Sequence, residues 1–305
     1  MNVADPKWSR LAAMLILASV VCSGAGVCVQ KTSPSPRTVE KLADIAKAYS
    51  IDIVATAPPF PITTTHGEIG GSVADAEVLE SYTGLFAKEF TLYPRSLVKR
   101  SQLKRVVLCK DLAFAGQLRT AIPDYEHDTL YLDVHRGMPN TLYLRKVLHH
   151  EFFHIIDYRD DGLVYRDDCW AALNPPEFLY GNGGRNVQDQ SDTSVLTDKF
   201  PGFLNHYSTT GVQEDKAEIF ANLIVDPAYV ANRAGKEGVL NAKVQQMRKL
   251  LINFCPEMTD EFWEKVRSKG PVVCAAVVVP VYGRRMRPLR NDNALASCEG
   301  VIDGG

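Results

Sequence analysis

The chain has 305 residues, of which 46% are hydrophobic and 23% charged, a composition typical of a folded domain rather than of a disordered or repetitive chain. Its formal net charge is −2 and its isoelectric point is about 6.4, so the charge balance gives no support for nucleic acid or an anionic membrane surface as a partner. The length suits one medium-sized domain or two small ones.

The first thirty residues have the pattern of an export signal. Lys7 and Arg10 precede an apolar run over residues 11–21, and the small residues Ser23 and Ala25 fit the two key positions of a cleavage site. The uncharged stretch continues to residue 30, nearly long enough to cross a bilayer, so a retained N-terminal anchor is the alternative to a cleaved signal peptide. Either outcome predicts a secreted or extracytoplasmic protein, in the periplasm or at the cell surface.

The two ends of the remaining chain are predicted to lie outside the folded domain. Pro, Ser and Gly are frequent in KTSPSPRT and in APPFPITTTHGEIGG, so residues 31–70 are predicted to be a linker, or a prosegment that precedes the domain. Only residues 38–48 have a helical pattern there. Residues 271–305 contain little to bury and are predicted to form a C-terminal tail.

Residues 71–270 are predicted to form the folded domain. An amphipathic pattern predicts a helix over residues 73–90, and β-branched or alternating apolar residues predict strands over residues 105–109 and 129–134. The second strand is expected to line a cleft, with an exposed edge to which an extended peptide could add by backbone hydrogen bonds. The expected class is α+β, with a small mixed sheet packed on a helix and a mostly helical C-terminal part.

The most informative motif is His150-Glu151-Phe152-Phe153-His154, which has the pattern H-E-x-x-H. Positions i and i+4 share one face of a helix, so the two imidazoles can hold one zinc ion between them. Glu151 would then lie within reach of a metal-bound water as its general base. A chain with this content of His and Glu would contain about 0.008 such patterns by chance.

The sequence around the motif predicts a helix. Pro139 and Asn140 favour a helix start, and residues 142–158 contain neither Gly nor Pro. Apolar residues recur at helical spacing beside the two histidines and predict a face packed on the core: Leu144, Leu148, Phe152 and Ile155. The alternative to a metal site is a buried helix whose histidines contact only neighbouring side chains.

A catalytic zinc needs a third protein ligand and an open position for water. Residues 212–224 have a helical pattern that ends before Asp226-Pro227, and Glu214 and Glu218 lie four apart on one face of that helix. One could bind the metal, and the other could accept the N–H of a ligating His and so fix its ring. The spacing leaves open which Glu has which role, and it is also compatible with an ordinary solvated acidic face.

Taken together, HHEFFHIIDY and the pattern Y-x-x-T-x-x-x-E-x-x-A-E-x-F-A that begins at Tyr207 resemble the gluzincin metallopeptidases of the anthrax lethal factor group. The resemblance covers roughly residues 105–230 and implies a zincin-like fold. It also implies that Glu214 is the third zinc ligand and that Glu218 is the carboxylate behind the ligands. Tyr207 would stabilise the transition state at the metal-bound oxygen.

Two further features follow from this resemblance. Asp157, three residues after the second His, matches an acidic residue that the group keeps at this position and is expected to support the metal site. Residues 160–205, between the two helices, depart from the group, and WAALNPPEFLYGNGGRN within this stretch has no predicted role. Substrate specificity is therefore the property on which the resemblance says least.

These motifs predict a secreted zinc-dependent endopeptidase that acts on proteins or peptides through a metal-activated water, with Zn²⁺ as its cofactor. The alternatives are a secreted zinc-binding module without catalysis, serving adhesion or partner binding, and hydrolysis of an amide that is not a peptide. Glu151 favours catalysis, because a module that only binds has no chemical need of a general base. No nucleic acid is expected as a partner, and a membrane only through the possible N-terminal anchor.

Overall fold

A sheet of seven strands forms the centre of the computed structural model, which describes residues 33–181 and 193–268. The predicted leader and the predicted C-terminal tail therefore lie outside the described residues. The strands are β1 (Asp52–Val54), β2 (Ile62–Thr64), β3 (Gly67–Val73), β4 (Arg105–Phe114), β5 (Gln117–Leu118), β6 (Ala121–Asp124) and β7 (Thr129–Asp133). Their order is β2-β3-β4-β7-β6, and β1 and β5 also pair with β4. The sheet is mixed, because β1 and β7 run parallel to β4 while the other pairs are antiparallel.

Helices cover one face of this sheet and make up the C-terminal part. They are α1 (Pro36–Tyr49), α2 (Ala76–Phe90), α3 (Arg95–Arg100), α4 (Thr141–Asp161), α5 (Asp168–Ala171), α6 (Val212–Val225), α7 (Pro227–Ala234), α8 (Gly238–Phe254) and α9 (Asp260–Ser268). The mixed sheet packed on α4 and the helical part from α6 onward confirm the predicted α+β class. Within the described ranges, no helix is both long enough and apolar enough to span a bilayer.

Local signals define α4, the helix that contains the histidine motif. The Asn140 side chain accepts a hydrogen bond from Tyr143 N at 3.0 Å and so caps the first turn. The helix ends at Gly162, whose φ of +78° is the left-handed conformation that glycine adopts without strain. The predicted apolar stripe is at most 2% exposed and packs on the core: Leu144, Leu148, Phe152 and Ile155. The helix predicted around the motif is thus confirmed.

The segment predicted as a linker or prosegment has more structure than expected. It contains α1, β1, β2 and the start of β3, and β1 pairs with β4 so that Ile53 lies opposite Val106. Pairing with distant β4 stabilises β1, and pairing with β3 stabilises β2, because a strand of three residues is not stable alone. Glycine also makes room for packing, since a Cβ at Gly71 would lie 2.6 Å from the Phe60 ring. Removal of this segment as a prosegment stays a prediction.

The strand predicted to line the cleft, residues 129–134, does not have a free edge. It forms β7, which pairs with β4 on one side and with β6 on the other. The outer strand on this side of the sheet, within the described ranges, is β6. Asp133 N–H donates to Thr120 O at 2.8 Å, so by antiparallel alternation the backbone of Ala121 and Pro123 faces away from β7. An extended peptide could pair here rather than with β7.

The role of α1 in the core can be tested by shortening one buried side chain. Ile45 is 6% exposed and belongs to the main core, so Ile45→Ala is expected to lower the free energy of unfolding by about 2–4 kcal/mol. Val39→Ala, on the same helix but 49% exposed, should change it by less than about 0.5 kcal/mol. Urea denaturation measures both values. Equal values for the two variants would contradict the placement of α1 in the core.

Candidate metal centre

Two histidines of α4 and one glutamate of α6 converge on one point. The Nε2 atoms of His150 and His154 lie 3.1 Å apart. Glu214 Oε2 lies 3.0 Å from His150 Nε2 and 3.5 Å from His154 Nε2. Donors bound to a tetrahedral zinc at about 2.1 Å are about 3.4 Å from one another. Imidazole nitrogens and a carboxylate oxygen at this spacing have the chemistry and geometry of a zinc site, so these residues fit the predicted ion.

Two buried ion pairs hold α6 in position beside α4. Asp215 Oδ2 lies 2.8 Å from Lys243 Nζ of α8, and both side chains are fully buried. Lys216 pairs with Asp157 of α4, and its Nζ also lies 3.0 Å from Asp167 Oδ2. These residues directly follow Glu214 in the chain. Separating either ion pair would leave a buried charge uncompensated, which is energetically costly. The two pairs therefore fix the rotation of α6 about its axis that directs Glu214 at the histidines.

The stretch that had no predicted role contributes to this arrangement. Trp170 Nε1 donates to Asp215 Oδ2 at 2.9 Å, and the Tyr180 hydroxyl donates to the same oxygen at 2.6 Å. Trp170 is fully buried. Residues 170–180 thus surround the Asp215 carboxylate and satisfy it, next to the predicted ligand in the chain.

Glu218 lies behind the convergence point rather than in it. Its Oε1 is 3.1 Å from His150 Nδ1, the nitrogen that faces away from the other predicted ligands. Its Oε2 accepts hydrogen bonds from Asn205 Nδ2 at 2.6 Å and from Lys146 Nζ at 3.2 Å. A carboxylate fixed in this way can orient the His150 ring. The spacing in the sequence left open the roles of the two glutamates, and in the structure only Glu214 approaches both Nε2 atoms.

Asp157, which was predicted to support the metal site, lies on α4 three residues after His154. Its carboxylate pairs with Lys216, and the His154 Nδ1 atom has no hydrogen-bond partner among the described residues. Burial raises the pKa of Asp157, while the charge of Lys216 lowers it. Asp157 therefore joins α4 to α6 one turn beyond His154.

The imidazoles and carboxylates at the centre shift one another's pKa values. Burial by itself lowers the pKa of His150, but hydrogen bonds that its ring donates to the Glu214 and Glu218 carboxylates raise it to about 10. Burial raises the pKa of Glu214, and the two imidazoles reverse this effect and hold it well below its usual range. A protonated imidazole cannot bind a metal, so zinc would have to replace a proton here.

The Glu151 carboxyl lines a cleft of about 160 Å³ together with His150 and Tyr207. Burial raises the pKa of Glu151 above its ordinary value, the two imidazoles lower it, and the Glu214 carboxylate raises it again. The Tyr207 ring centroid lies 5.8 Å from that of His150, and its backbone N–H donates to Thr193 O at 3.0 Å. Both residues predicted to act on the substrate therefore face the same space.

Several residues near the centre were missed in the sequence. Glu89 binds Arg145 Nε at 2.8 Å and His149 Nε2 at 3.0 Å, which joins α2 to α4 directly beside the motif. Lys146 precedes His150 by four residues, so the helical spacing could have predicted it. Tyr125 follows the unpredicted strand β6, and its ring packs on that of Tyr158 with centroids 4.7 Å apart. Burial raises the pKa of the Tyr125 hydroxyl well above its usual value, and the nearby Glu151 carboxylate adds to this.

Comparisons with known proteins give little further information. No protein-family model and no curated protein matches the chain. A crystal structure from Bacteroides caccae, described as that of a candidate zinc-binding metallo-peptidase, aligns with 78% of this chain and 94% of its own, at 17% sequence identity and a TM-score of 0.49. A likeness of this size assigns neither a family nor an activity, so the predicted kinship with the lethal factor group stays a prediction.

The different roles of the two glutamates can be tested by zinc binding. Glu214→Gln removes a charged donor and is expected to lower zinc affinity more than about 100-fold, whereas Glu218→Gln should lower it about 10- to 100-fold. Glu257→Gln, an exposed position, is the control and should have no effect. Competition with a chromophoric chelator measures all three affinities. A larger loss in Glu218→Gln than in Glu214→Gln would reverse the two roles.

Proposed function

We propose that the protein is a secreted zinc-dependent endopeptidase that cleaves protein or peptide substrates. The observation that carries the proposal is the convergence of His150, His154 and Glu214 at donor spacing, with Glu151 and Tyr207 on the adjoining cleft. Secretion rests on the pattern of the first thirty residues alone.

The bound zinc would supply Lewis-acid chemistry, lowering the pKa of a water molecule and polarising the scissile carbonyl. Glu151 accepts a proton from the attacking water and later delivers it to the leaving amine. A carboxyl whose pKa burial has raised is suited to both steps, because it must bind and release a proton at the same atom. Glu218 keeps the His150 ring oriented while the charge at the centre changes.

Tyr207 and β6 act on the substrate. The Tyr207 hydroxyl would donate a hydrogen bond to the carbonyl oxygen as that atom gains negative charge. The outward backbone groups of Ala121 and Pro123 would pair with an extended peptide and hold the scissile bond beside α4. This replaces the expectation that β7 would offer the edge.

The proposal is tested by incubating the zinc-loaded protein with a diverse peptide mixture, side by side with Glu151→Gln. The variant is expected to keep its zinc and its fold but to lose about 10²- to 10⁴-fold in turnover, because an amide cannot accept the proton. Mass spectrometry detects the cut peptides, and metal analysis measures the zinc. Glu261→Gln, at an exposed position of α9, should cleave like the wild type.

Two outcomes would count against this function. If wild-type and Glu151→Gln cleave at equal rates, Glu151 is not the general base. If neither zinc-loaded protein cleaves any peptide, the zinc-binding module without catalysis becomes the better explanation.

Tyr207 has a separate prediction. Tyr207→Phe is expected to lower kcat about 10²- to 10³-fold with zinc content unchanged, because one donor to the developing oxyanion is lost. Tyr229→Phe removes a hydroxyl from α7, away from the cleft, and should leave kcat at the wild-type value. Steady-state kinetics on one peptide from the mixture gives both values. Zinc loss in Tyr207→Phe would assign Tyr207 to the metal centre instead.

A further inference from the structure

Asn205 is a fully buried residue whose side-chain amide is hydrogen-bonded at both ends. Its Nδ2 group donates to Glu218 Oε2 at 2.6 Å and to Ser194 O at 3.3 Å. Its Oδ1 atom accepts from the backbone N–H of Ser208 at 2.9 Å and from the Ser208 hydroxyl at 3.0 Å. An amide has two N–H donors and two lone pairs on its oxygen, so the whole hydrogen-bonding capacity of this side chain is used.

The nitrogen end of the amide leads to the candidate metal centre. Glu218 Oε2 also accepts from Lys146 at 3.2 Å and from the Asn222 amide at 3.3 Å, so the bond from Asn205 is the shortest of the three. The other oxygen of the same carboxylate lies 3.1 Å from His150 Nδ1. Asn205 therefore helps to fix the group that can orient the His150 ring.

The oxygen end of the amide leads to Tyr207. A short 3₁₀ helix, Tyr207–Thr209, carries this tyrosine, and Ser208 is the residue whose two donors Asn205 binds. On its other side Tyr207 N–H donates to Thr193 O at 3.0 Å, and Thr193 lines the cleft together with the tyrosine. The backbone that directs Tyr207 into the cleft is thus fixed on one side by Asn205.

We propose that Asn205 is a positioning residue that holds the Tyr207 helix at a set place relative to the Glu218 carboxylate, and so keeps the tyrosine beside the metal centre. The inference rests on the proposed function, because it assumes that Tyr207 acts on the substrate. Neither end of the amide can let go without leaving buried polar groups unpaired, which is costly. Asn205 acts through Glu218 and Ser208 rather than by contact with the substrate.

The test is a double-mutant cycle between positions 205 and 207, with all proteins saturated with zinc. Asn205→Ala is expected to lower kcat about tenfold when Tyr207 is present but less than about threefold in Tyr207→Phe, because a misplaced hydroxyl and a missing hydroxyl lose the same contribution. Steady-state kinetics on one peptide gives the four values. Competition with a chromophoric chelator should show a zinc affinity about tenfold lower in Asn205→Ala, since Glu218 loses its shortest hydrogen bond.

Asn222→Ala is the matched control. Asn222 is also a buried amide bonded to Glu218, but its side chain has no hydrogen bond to the Tyr207 helix within the described ranges. Its removal is expected to change kcat by the same factor with and without the Tyr207 hydroxyl.

Ser208→Ala is a milder variant that keeps the proposal testable if Asn205→Ala does not fold. It removes only the hydroxyl that donates to Asn205 Oδ1 and leaves the bonds to Glu218 intact. We expect zinc affinity within about twofold of the wild type, and a loss of about threefold in kcat that disappears in Tyr207→Phe.

Three outcomes would overturn the proposal. Asn205→Ala, or Ser208→Ala in its place, could lower kcat by equal factors with and without the Tyr207 hydroxyl, which would mean that position 205 does not act through the tyrosine. Asn222→Ala could show the same dependence on Tyr207 as Asn205→Ala, which would mean that any damage behind Glu218 has this effect. Unchanged zinc affinity in Asn205→Ala would remove the connection to Glu218.

Failure of the proposed function is distinguished by measuring the binding of acetohydroxamate, which needs no cleavage. This compound binds zinc and has an anionic oxygen to which the Tyr207 hydroxyl can donate, and calorimetry on the zinc-loaded proteins gives its affinity. If no peptide is cut, but Tyr207→Phe and Asn205→Ala each weaken binding about three- to tenfold and the double variant binds like Tyr207→Phe alone, the positioning role stands without a peptidase. Additive losses, or no loss in Asn205→Ala, would overturn the role whatever the activity.

Discussion

The packing of α6 against α4 is the constraint on which the candidate centre depends, and buried charges determine it. Removing one partner of a buried ion pair leaves an uncompensated charge and costs about 3–5 kcal/mol. Asp215 and Lys216 form such pairs with Lys243 and with Asp157. A one-residue slip of α6 would turn its side chains by about 100° and separate both pairs. Glu214 is held beside the histidines because the next two residues, Asp215 and Lys216, are fixed by these buried ion pairs.

Negative charge is concentrated at the candidate centre, and the fold neutralises it in two ways. Three carboxylates, Glu151, Glu214 and Glu218, lie close to one another in a mostly buried space, where like charges repel strongly. Glu218 is compensated permanently by Lys146, together with the amide of Asn205. Glu214 is compensated by the two imidazoles when they are protonated, and a bound dication would take the place of that proton. The protein thus neutralises Glu218 with a lysine of its own, whereas the charge of Glu214 would be neutralised by an exchangeable cation.

Helices α4 and α6 could be predicted because the residues that start, end and orient them are local in the sequence. Asn140 caps α4, Pro227 follows the end of α6, and the apolar stripe has helical spacing throughout. The short strands could not be predicted, since three or four residues around Pro123 become a strand only by pairing with residues far along the chain. The roles of Glu214 and Glu218 could not be predicted for the same reason, because they also depend on contacts between residues far apart in the chain. The rotation of α6 decides between them, and Lys243, which helps to set it, lies 28 positions beyond Asp215.

The edge of the sheet explains why specificity should depend on side chains. β6 has only four residues, and Pro123 cannot donate a backbone hydrogen bond, so the ladder that it offers to a peptide is short and incomplete. Such an edge also discourages pairing with a second copy of the chain, which a long open strand beside a cleft would invite. Under the proposed function, backbone pairing at β6 would align a substrate but contribute little selectivity. If the proposed function holds, discrimination among peptides would fall to the side chains that line the cleft.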